Sequence, residues 1–195
     1  MHALKGQAVA VNWGEYEPHD YPSYLAQNDL PRPEARRVYS SLMRIKTGRI
    51  DQLRGFLKLN GIELDNSDHA VRALNEWVRF SVEADPSEPR ELPVRWVSVL
   101  NDVALYLGEL MIARNPGLRW ELFVWGKKNI AYQHHVIMGF SKVEHSKYNV
   151  DLDRMMLNLG YRIIFRADDE RDIAGEDERD INLFLRWLGN AATYA

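Results

Sequence analysis

One apolar pattern constrains the fold more than any other feature of the sequence, and it lies between Pro93 and Arg114. Apolar side chains recur there every three or four residues, at Trp96, Leu100, Val103, Leu107, Leu110 and Met111. This period predicts a long α-helix whose apolar stripe other elements must cover. The Asn-Pro-Gly sequence at 115–117 ends it, because proline cannot continue a helix and glycine favours its C-terminal cap. We therefore expect the chain to fold around this helix.

Three shorter helices are predicted on the N-terminal side of this central helix. The first begins at Pro33 and ends at Gly48, since proline fits the first helical turn and glycine the position after the last. The second covers residues 49–59. The third begins after Asn66 or Ser67, whose side chains can cap the first backbone N–H groups.

A proline-rich segment, residues 84–93, separates these helices from the rest of the chain. Its three prolines forbid a continuing helix. Each half of the chain alone would be small for an independent core. The segment is therefore interpreted as a seam inside a single domain that covers residues 1–195.

Apart from a candidate short strand at residues 7–13, the strand patterns lie after the central helix. Residues 118–125 and 134–140 alternate between apolar and other side chains, which is the period of a strand. Residues 126–129 between them have the composition of a turn, so the two strands are predicted to pair antiparallel. A third strand is predicted at 161–165.

Two more helices are predicted in the C-terminal half, one over residues 150–159, ending at Gly160, and one over residues 176–189. Helices therefore dominate, and the strands are short and close together in the sequence. The predicted fold class is α+β: a helix-rich single domain with a small antiparallel sheet in the C-terminal half.

Composition excludes several kinds of function. The chain has no cysteine, so disulfides, thiolate zinc sites and thiol catalysis are excluded. Its net charge of −3 provides no general attraction to nucleic acid. No uninterrupted apolar stretch is long enough to cross a membrane, and the first residues lack the pattern of a signal peptide. We therefore expect a cytoplasmic protein that binds neither nucleic acid nor a membrane.

Three tyrosines, Tyr16, Tyr21 and Tyr24, lie in a proline-containing segment where no regular structure is expected. Acidic residues lie between them. Tyrosine on an irregular, exposed segment is typical of protein contact surfaces, which makes these three residues candidates for partner binding. The alternative is that the rings fold back and cover the core.

The most biased segment of the chain is residues 168–180, which contains eight acidic residues and two arginines. Its spacing does not match a calcium-binding loop. It is either a solvated loop that leads into the last helix or an acidic face that docks on a basic protein. In the second case the contact residues are Asp168, Asp169, Glu170 and Asp172.

Histidines provide the main alternative to a binding function. His134 is followed directly by His135, but adjacent residues of a strand point to opposite faces and cannot easily chelate one ion. No metal or other cofactor is therefore predicted. A small hydrolase or metal-dependent enzyme would instead have to combine His134 or His145 with acids such as Asp102 and Glu109.

Three motifs in residues 106–140 carry a family resemblance: Tyr106-Leu-Gly-Glu109, Asn115-Pro-Gly-Leu-Arg-Trp120 and Gly139-Phe140. With them, the sequence resembles small uncharacterised bacterial proteins, some of which are similar to the immunity proteins that accompany antibacterial toxins. The resemblance implies a bias toward binding over catalysis and assigns no site residue. Within it, Gly108 is expected to let another element approach the central helix closely.

Three hypotheses about function follow. The leading one is a non-enzymatic protein-binding module, an immunity or regulatory protein that neutralises a toxin or enzyme partner. The second is the histidine-based enzyme, and the third is a structural subunit of a bacterial assembly. The absence of a catalytic or cofactor motif from the sequence favours the first.

Overall fold

Helices form most of the part of the chain that the computed structural model describes, which is residues 10–167 and 181–195. In chain order the elements are a 3₁₀ helix (Leu25–Asp29), α1 (Arg32–Leu59), α2 (Asp68–Ser81), α3 (Val94–Arg114), β1 (Arg119–Leu122), β2 (His135–Met138), α4 (Leu152–Ala167) and α5 (Leu183–Tyr194). The predicted α+β class, helix-rich with a small antiparallel sheet in the C-terminal half, is confirmed.

The central helix predicted from the apolar pattern is α3, and its bounds agree with the prediction within one residue. It packs against α1, α4 and α5, and α2 packs against α5. By length and composition α3 is apolar enough to cross a membrane, but 78% of that stretch is buried inside the protein, as in the core helix of a globular fold. The main apolar core contains side chains from both sides of the 84–93 seam, for example Leu53 and Leu159.

The helix end predicted at Gly48 is wrong, because α1 is one continuous helix from Arg32 to Leu59. Gly48 is exposed, and a Cβ at this position would meet nothing within 4 Å. A glycine inside a helix costs only about 1 kcal/mol. Burial of apolar side chains on both sides of it, such as Leu42 and Leu53, outweighs that cost.

The strand predicted at 161–165 is wrong, and so is the helix end predicted at Gly160. Both positions lie inside α4, which continues to Ala167. A short apolar run fits either a strand or a buried helix by its pattern alone, so packing decides. Gly160 belongs to the helix because α4 passes close to α3: a Cβ there would lie 2.5 Å from Leu100 Cδ1.

The last helix differs from the prediction at its C-terminal end. It was expected at 176–189, whereas α5 covers Leu183–Tyr194. It passes through Gly189, where a Cβ would meet nothing within 4 Å, so this glycine ends no helix. Residues 176–180 lie outside the described part of the chain.

β1 and β2 form the predicted antiparallel pair, with Arg119 opposite Met138, although each strand is shorter than predicted. The expected turn at 126–129 is present, with the Asn129 N–H donating to the Gly126 oxygen at 2.7 Å, but it lies within a longer connection, residues 123–134. A bridge between Ile137 and Val150 ties β2 to the segment that precedes α4. The sheet therefore lies beside the start of α4.

Gly108 lets the sheet pack directly on α3. A Cβ at this position would lie 2.1 Å from Trp120 Cζ2, so a larger residue does not fit beneath the indole ring. The Trp120 Nε1 group also donates a hydrogen bond to Glu109 Oε1 at 2.8 Å. The close approach expected at Gly108 from the sequence is confirmed.

Replacing Gly108 with alanine should destabilise the protein by about 1–3 kcal/mol, because the added methyl group must displace Trp120. The matched control is Gly55→Ala, which also lies inside a helix but has open space around it. That variant should gain about 0.5–1 kcal/mol. Urea titrations measure the free energy of unfolding of both variants. If Gly108→Ala were as stable as Gly55→Ala, the close packing of Trp120 on Gly108 would be contradicted.

Candidate functional site

A carboxylate, Asp102, is buried in the middle of the apolar helix α3. Its side chain is 0% exposed, and a charge buried without partners would cost several kcal/mol. Its Oδ1 atom accepts hydrogen bonds from Arg49 Nε at 3.0 Å and Tyr21 Oη at 2.7 Å. Its Oδ2 atom accepts from Arg49 Nη2 and Tyr16 Oη, both at 2.5 Å. Both oxygens of the carboxylate are therefore fully used.

Arg49 reaches this carboxylate from α1 and binds it through two nitrogens, the strongest arrangement for such a pair. It also donates from Nη1 to the backbone oxygen of Glu17 at 2.9 Å, which fixes the segment before α1. Ser98, one turn from Asp102 on α3, accepts from the backbone N–H of His19 at 2.8 Å. Burial alone would lower the pKa of Arg49, but the hydrogen bond and charge of Asp102 outweigh it and raise that pKa.

The segment before α1, named here the N-terminal strap (residues 15–30), is fastened to the core by these contacts. Burial, and then the negative charge of Asp102, raise the pKa of Tyr16 and of Tyr21 far above the ordinary value for tyrosine. Both hydroxyls therefore keep their protons at neutral pH and act as donors to the carboxylate.

The third tyrosine of the strap is fastened to a different carboxylate. Tyr24 Oη donates a short hydrogen bond to Asp151 Oδ2, just before α4. Its ring stacks on that of His134 with 3.8 Å between centroids, and His134 Nε2 lies 2.6 Å from Asn28 Oδ1. Burial, and then Asp151, raise the pKa of Tyr24. The middle of the strap is thus held by the residues that directly precede α4 and β2.

Gln133 holds the end of the strap. It is buried and has a φ of 65°, in the left-handed region that residues other than glycine rarely adopt. Its Nε2 group donates to the backbone oxygens of Gln27 at 3.0 Å and Leu30 at 2.9 Å. The side chain of Gln133 thus ties the end of the 3₁₀ helix to the segment before β2.

The tyrosine rings fold back onto the core, which is the second of the two alternatives that the sequence left open. Tyr16 is only 9% exposed, and Tyr21 and Tyr24 are partly buried. Their hydroxyl groups point at buried carboxylates. A role of the three residues in direct partner contact stays a prediction.

The solvent side of the strap carries negative charge. Three of its exposed acidic residues, Glu15, Glu17 and Asp20, lie near its start, and a fourth, Asp29, lies near its end. The residues of the acidic run that were predicted to bind a partner lie outside the described part of the chain, so their role also stays a prediction; they are Asp168, Asp169, Glu170 and Asp172.

A cleft of about 490 Å³ lies between the strap and the helices. Side chains from the strap, α1, α3, β2 and α4 line it, so no single segment of the sequence reveals it. Apolar side chains form much of the wall, among them Leu42, Ile45 and Leu157. The volume is in the range of pockets that bind small organic molecules.

An ion pair lies in the wall of this cleft. His135 Nε2 lies 2.7 Å from Asp153 Oδ2, and both side chains are almost completely buried. Burial alone would lower the pKa of His135, but the neighbouring charge of Asp153 outweighs it and raises that pKa. The second oxygen of the carboxylate, Asp153 Oδ1, is buried and receives no hydrogen bond from the described residues.

The residues of the enzyme hypothesis lie in different environments. His134 is buried against Asn28, whereas the His145 side chain is exposed in the loop before α4. Asp102 and Glu109 are each engaged in an ion pair with a residue of α1. Within residues 10–167 and 181–195, no three His, Asp or Glu side chains come close enough to hold a metal ion.

The sequence does not reveal the groups that fasten the strap or the ion pair of the cleft. It offers Asp102 only as a candidate acid, and no pattern in it singles out Arg49, Asp151 or Asp153. One indication was present: a carboxylate inside the apolar helix α3 requires a buried partner. The sequence does not say which distant residue that partner is.

Comparison with known proteins gives no identification. No family model, no curated protein and no solved structure matches this chain. The resemblance to immunity-like proteins stays a prediction, and function has to be inferred from the geometry of the site.

His134 should make the protein less stable in acid. Burial, and then the neighbouring His135, lower the pKa of His134 to about 4, below the value of about 6.5 for an unfolded histidine. Between these values the unfolded chain binds a proton that the folded protein does not, so stability falls as the pH drops. The expected loss is on the order of 3 kcal/mol, and urea titrations of wild type and His134→Gln over this pH range measure it.

The adjacent variant His135→Gln is the matched control, because His135 behaves in the opposite way. The pKa of His135 is raised in the folded protein, so its protonated form stabilises the fold. This stabilisation is fully present below about pH 6.5 and is lost as the pH rises through the folded-state pKa. As the pH falls, the free energy of unfolding should decrease less for His134→Gln than for wild type. The free energy of unfolding of His135→Gln should lie below that of wild type, and this difference should be largest in acid. Parallel pH profiles for the two variants would contradict these assignments.

Proposed function

We propose that this protein is a non-enzymatic binding module that neutralises or regulates a basic protein partner, in the manner of an immunity protein. The observation that carries the proposal is the two-sided N-terminal strap. Its inner side is fixed to buried carboxylates, and its outer side presents exposed acidic residues.

The fixed inner side supports a binding role because it holds the strap in one conformation. Tyr16 and Tyr21 are bonded to Asp102, Tyr24 is bonded to Asp151, and Gln133 holds the end. A segment that is already ordered loses little conformational entropy when a partner binds, which favours affinity. The tyrosines thus hold the strap in place beneath its exposed acidic residues.

The charge distribution favours a basic partner. The strap exposes three acidic residues near its start, Glu15, Glu17 and Asp20. The cation that binds the strap is Arg49, and its side chain is buried beneath the strap. The positive charge of Arg49 is already used by Asp102 and is not presented to solvent. Complementary charge accelerates association and selects among partners. The acidic run at 168–180 would add charge of the same sign.

The same geometry supports catalysis less well. General acid–base catalysis requires an acid and a base within hydrogen-bond reach of one substrate. His134 is held by Asn28, His145 is exposed, and Asp102 and Glu109 are bound to cations of α1. Three of these four groups are therefore engaged in structural contacts, and the fourth is exposed.

Reversing the charge of the strap should weaken partner binding. The test uses three tagged baits on extract of the native host: wild type, a Glu15→Lys, Glu17→Lys, Asp20→Lys variant, and a control. The control is Glu63→Lys, Glu76→Lys, Glu83→Lys, which reverses as many exposed acids on and beside α2. We expect one protein to bind wild type and the control stoichiometrically and the strap variant at least about tenfold more weakly.

Calorimetry with the purified partner then measures the affinities. Binding to wild type should weaken as salt is raised, because exposed charges are screened. A second variant, Asp168→Lys, Asp169→Lys, Glu170→Lys, Asp172→Lys, tests the acidic run separately. Equal affinity of the strap variant and its control, or no stoichiometric partner for wild type, would refute the proposal.

A further inference from the structure

The cleft between the strap and the helices has the properties of a ligand site, and of the acids Glu15, Glu17 and Asp20 only Asp20 also lines it. We propose that it binds a small organic amine, with the ammonium group bonded to Asp153 and the apolar part against side chains of α1 and α4. This inference does not depend on the proposed protein partner.

The strongest observation is the carboxylate of Asp153, which lines the cleft and is only 5% exposed. Its Oδ2 atom is paired with His135, but its Oδ1 atom has no hydrogen-bond partner among the described residues. Buried carboxylate oxygens normally receive hydrogen bonds, so an unpaired one needs a reason. The terminal torsion of aspartate is soft, so its carboxylate can adjust to a donor placed in the cleft that the residue lines. A donor on a bound ligand would satisfy it.

Three polar side chains around the cleft already use donors elsewhere. Tyr21 and Tyr24 line it, and both give their hydroxyl protons to carboxylates that do not line it. With these protons committed, the two hydroxyl oxygens can only accept a further hydrogen bond. Asn101 donates from Nδ2 to the backbone oxygen of Val97 at 2.8 Å, and its Oδ1 atom is an acceptor. The complementary ligand is one that carries several donors.

An ammonium group meets this requirement, because it has three donors and no acceptor. Its hydrogen bond to a carboxylate is stronger than that of a neutral donor. The rings of Tyr21 and Tyr24 add faces that attract cations. At the exposed rim, Asp20 and Glu34 carry negative charge against one arginine, Arg37, so the rim also favours a cation.

The walls of the cleft define the rest of the ligand. Apolar side chains from three helices line it: Val38, Leu42, Ile45, Val97 and Leu157. They would bury an aliphatic or aromatic body attached to the amine. The cleft volume of about 490 Å³ limits that body to a small molecule.

The test compares hexylamine, hexanol and sodium hexanoate, which share one alkyl chain and differ in the head group. Each is titrated into the full-length protein, and NMR follows the imidazole signals of His135. Hexylamine should shift these signals and bind at least about tenfold more tightly than either of the others. Asp153→Asn should weaken hexylamine binding by a similar factor.

A second pair of variants keeps the test valid if Asp153→Asn fails to fold. Ser41 is exposed on α1 and lines the cleft, so Ser41→Trp should block it. Ser40 is its exposed neighbour, does not line the cleft, and points elsewhere on the helix, so Ser40→Trp should bind hexylamine like wild type.

Three results would overturn the inference. The first is no shift of the His135 signals with hexylamine. The second is equal affinity for the three compounds, which would mean that apolar burial alone drives binding. The third is an equal effect of Ser41→Trp and Ser40→Trp, which would place binding outside the cleft.

Discussion

The buried carboxylate of Asp102 is the constraint on which the rest of the structure depends. It lies in the centre of the helix that forms the core, where an unpaired charge would be strongly unfavourable. The fold must therefore bring Arg49 from α1 and two tyrosines from the strap to the same point. Packing of α1 on α3 and docking of the strap become one cooperative arrangement rather than two independent ones.

Both functional proposals are consequences of that arrangement. Because the strap is held from inside, its outer side keeps exposed acidic residues in fixed positions. Because Tyr21 and Tyr24 give their protons to carboxylates outside the cleft, their hydroxyl oxygens can only accept further hydrogen bonds. The same hydrogen bonds are thus used in both proposals, the acidic protein-binding face and the site for a cationic ligand.

The sequence predicts those features that depend on local pattern. The stripe from Trp96 to Met111 located α3, and Ser67 located the start of α2, since spacing and capping act within a few residues. Residues 161–165 were misread because a short apolar run fits a strand or a buried helix, and packing on Leu100 decides.

The site was less predictable than the helices, for a physical reason. Its contacts join residues far apart in the chain, such as Arg49 with Asp102. Tyrosine in an irregular segment has the same local pattern whether its hydroxyl meets solvent or a buried acid. The one indication in the sequence is the carboxylate of Asp102 in an apolar helix, because a buried carboxylate requires partners that donate hydrogen bonds to it.

Hydrogen exchange of the strap in Asp102→Asn, compared with Glu109→Gln, tests the central claim most directly. Both changes remove one charge from α3 and one ion pair with α1, but Glu109 is 42% exposed and does not contact the strap. The account predicts that backbone amides in residues 15–24 exchange at least about tenfold faster in Asp102→Asn and at the wild-type rate in Glu109→Gln. Equal exchange of the strap in the two variants would contradict it.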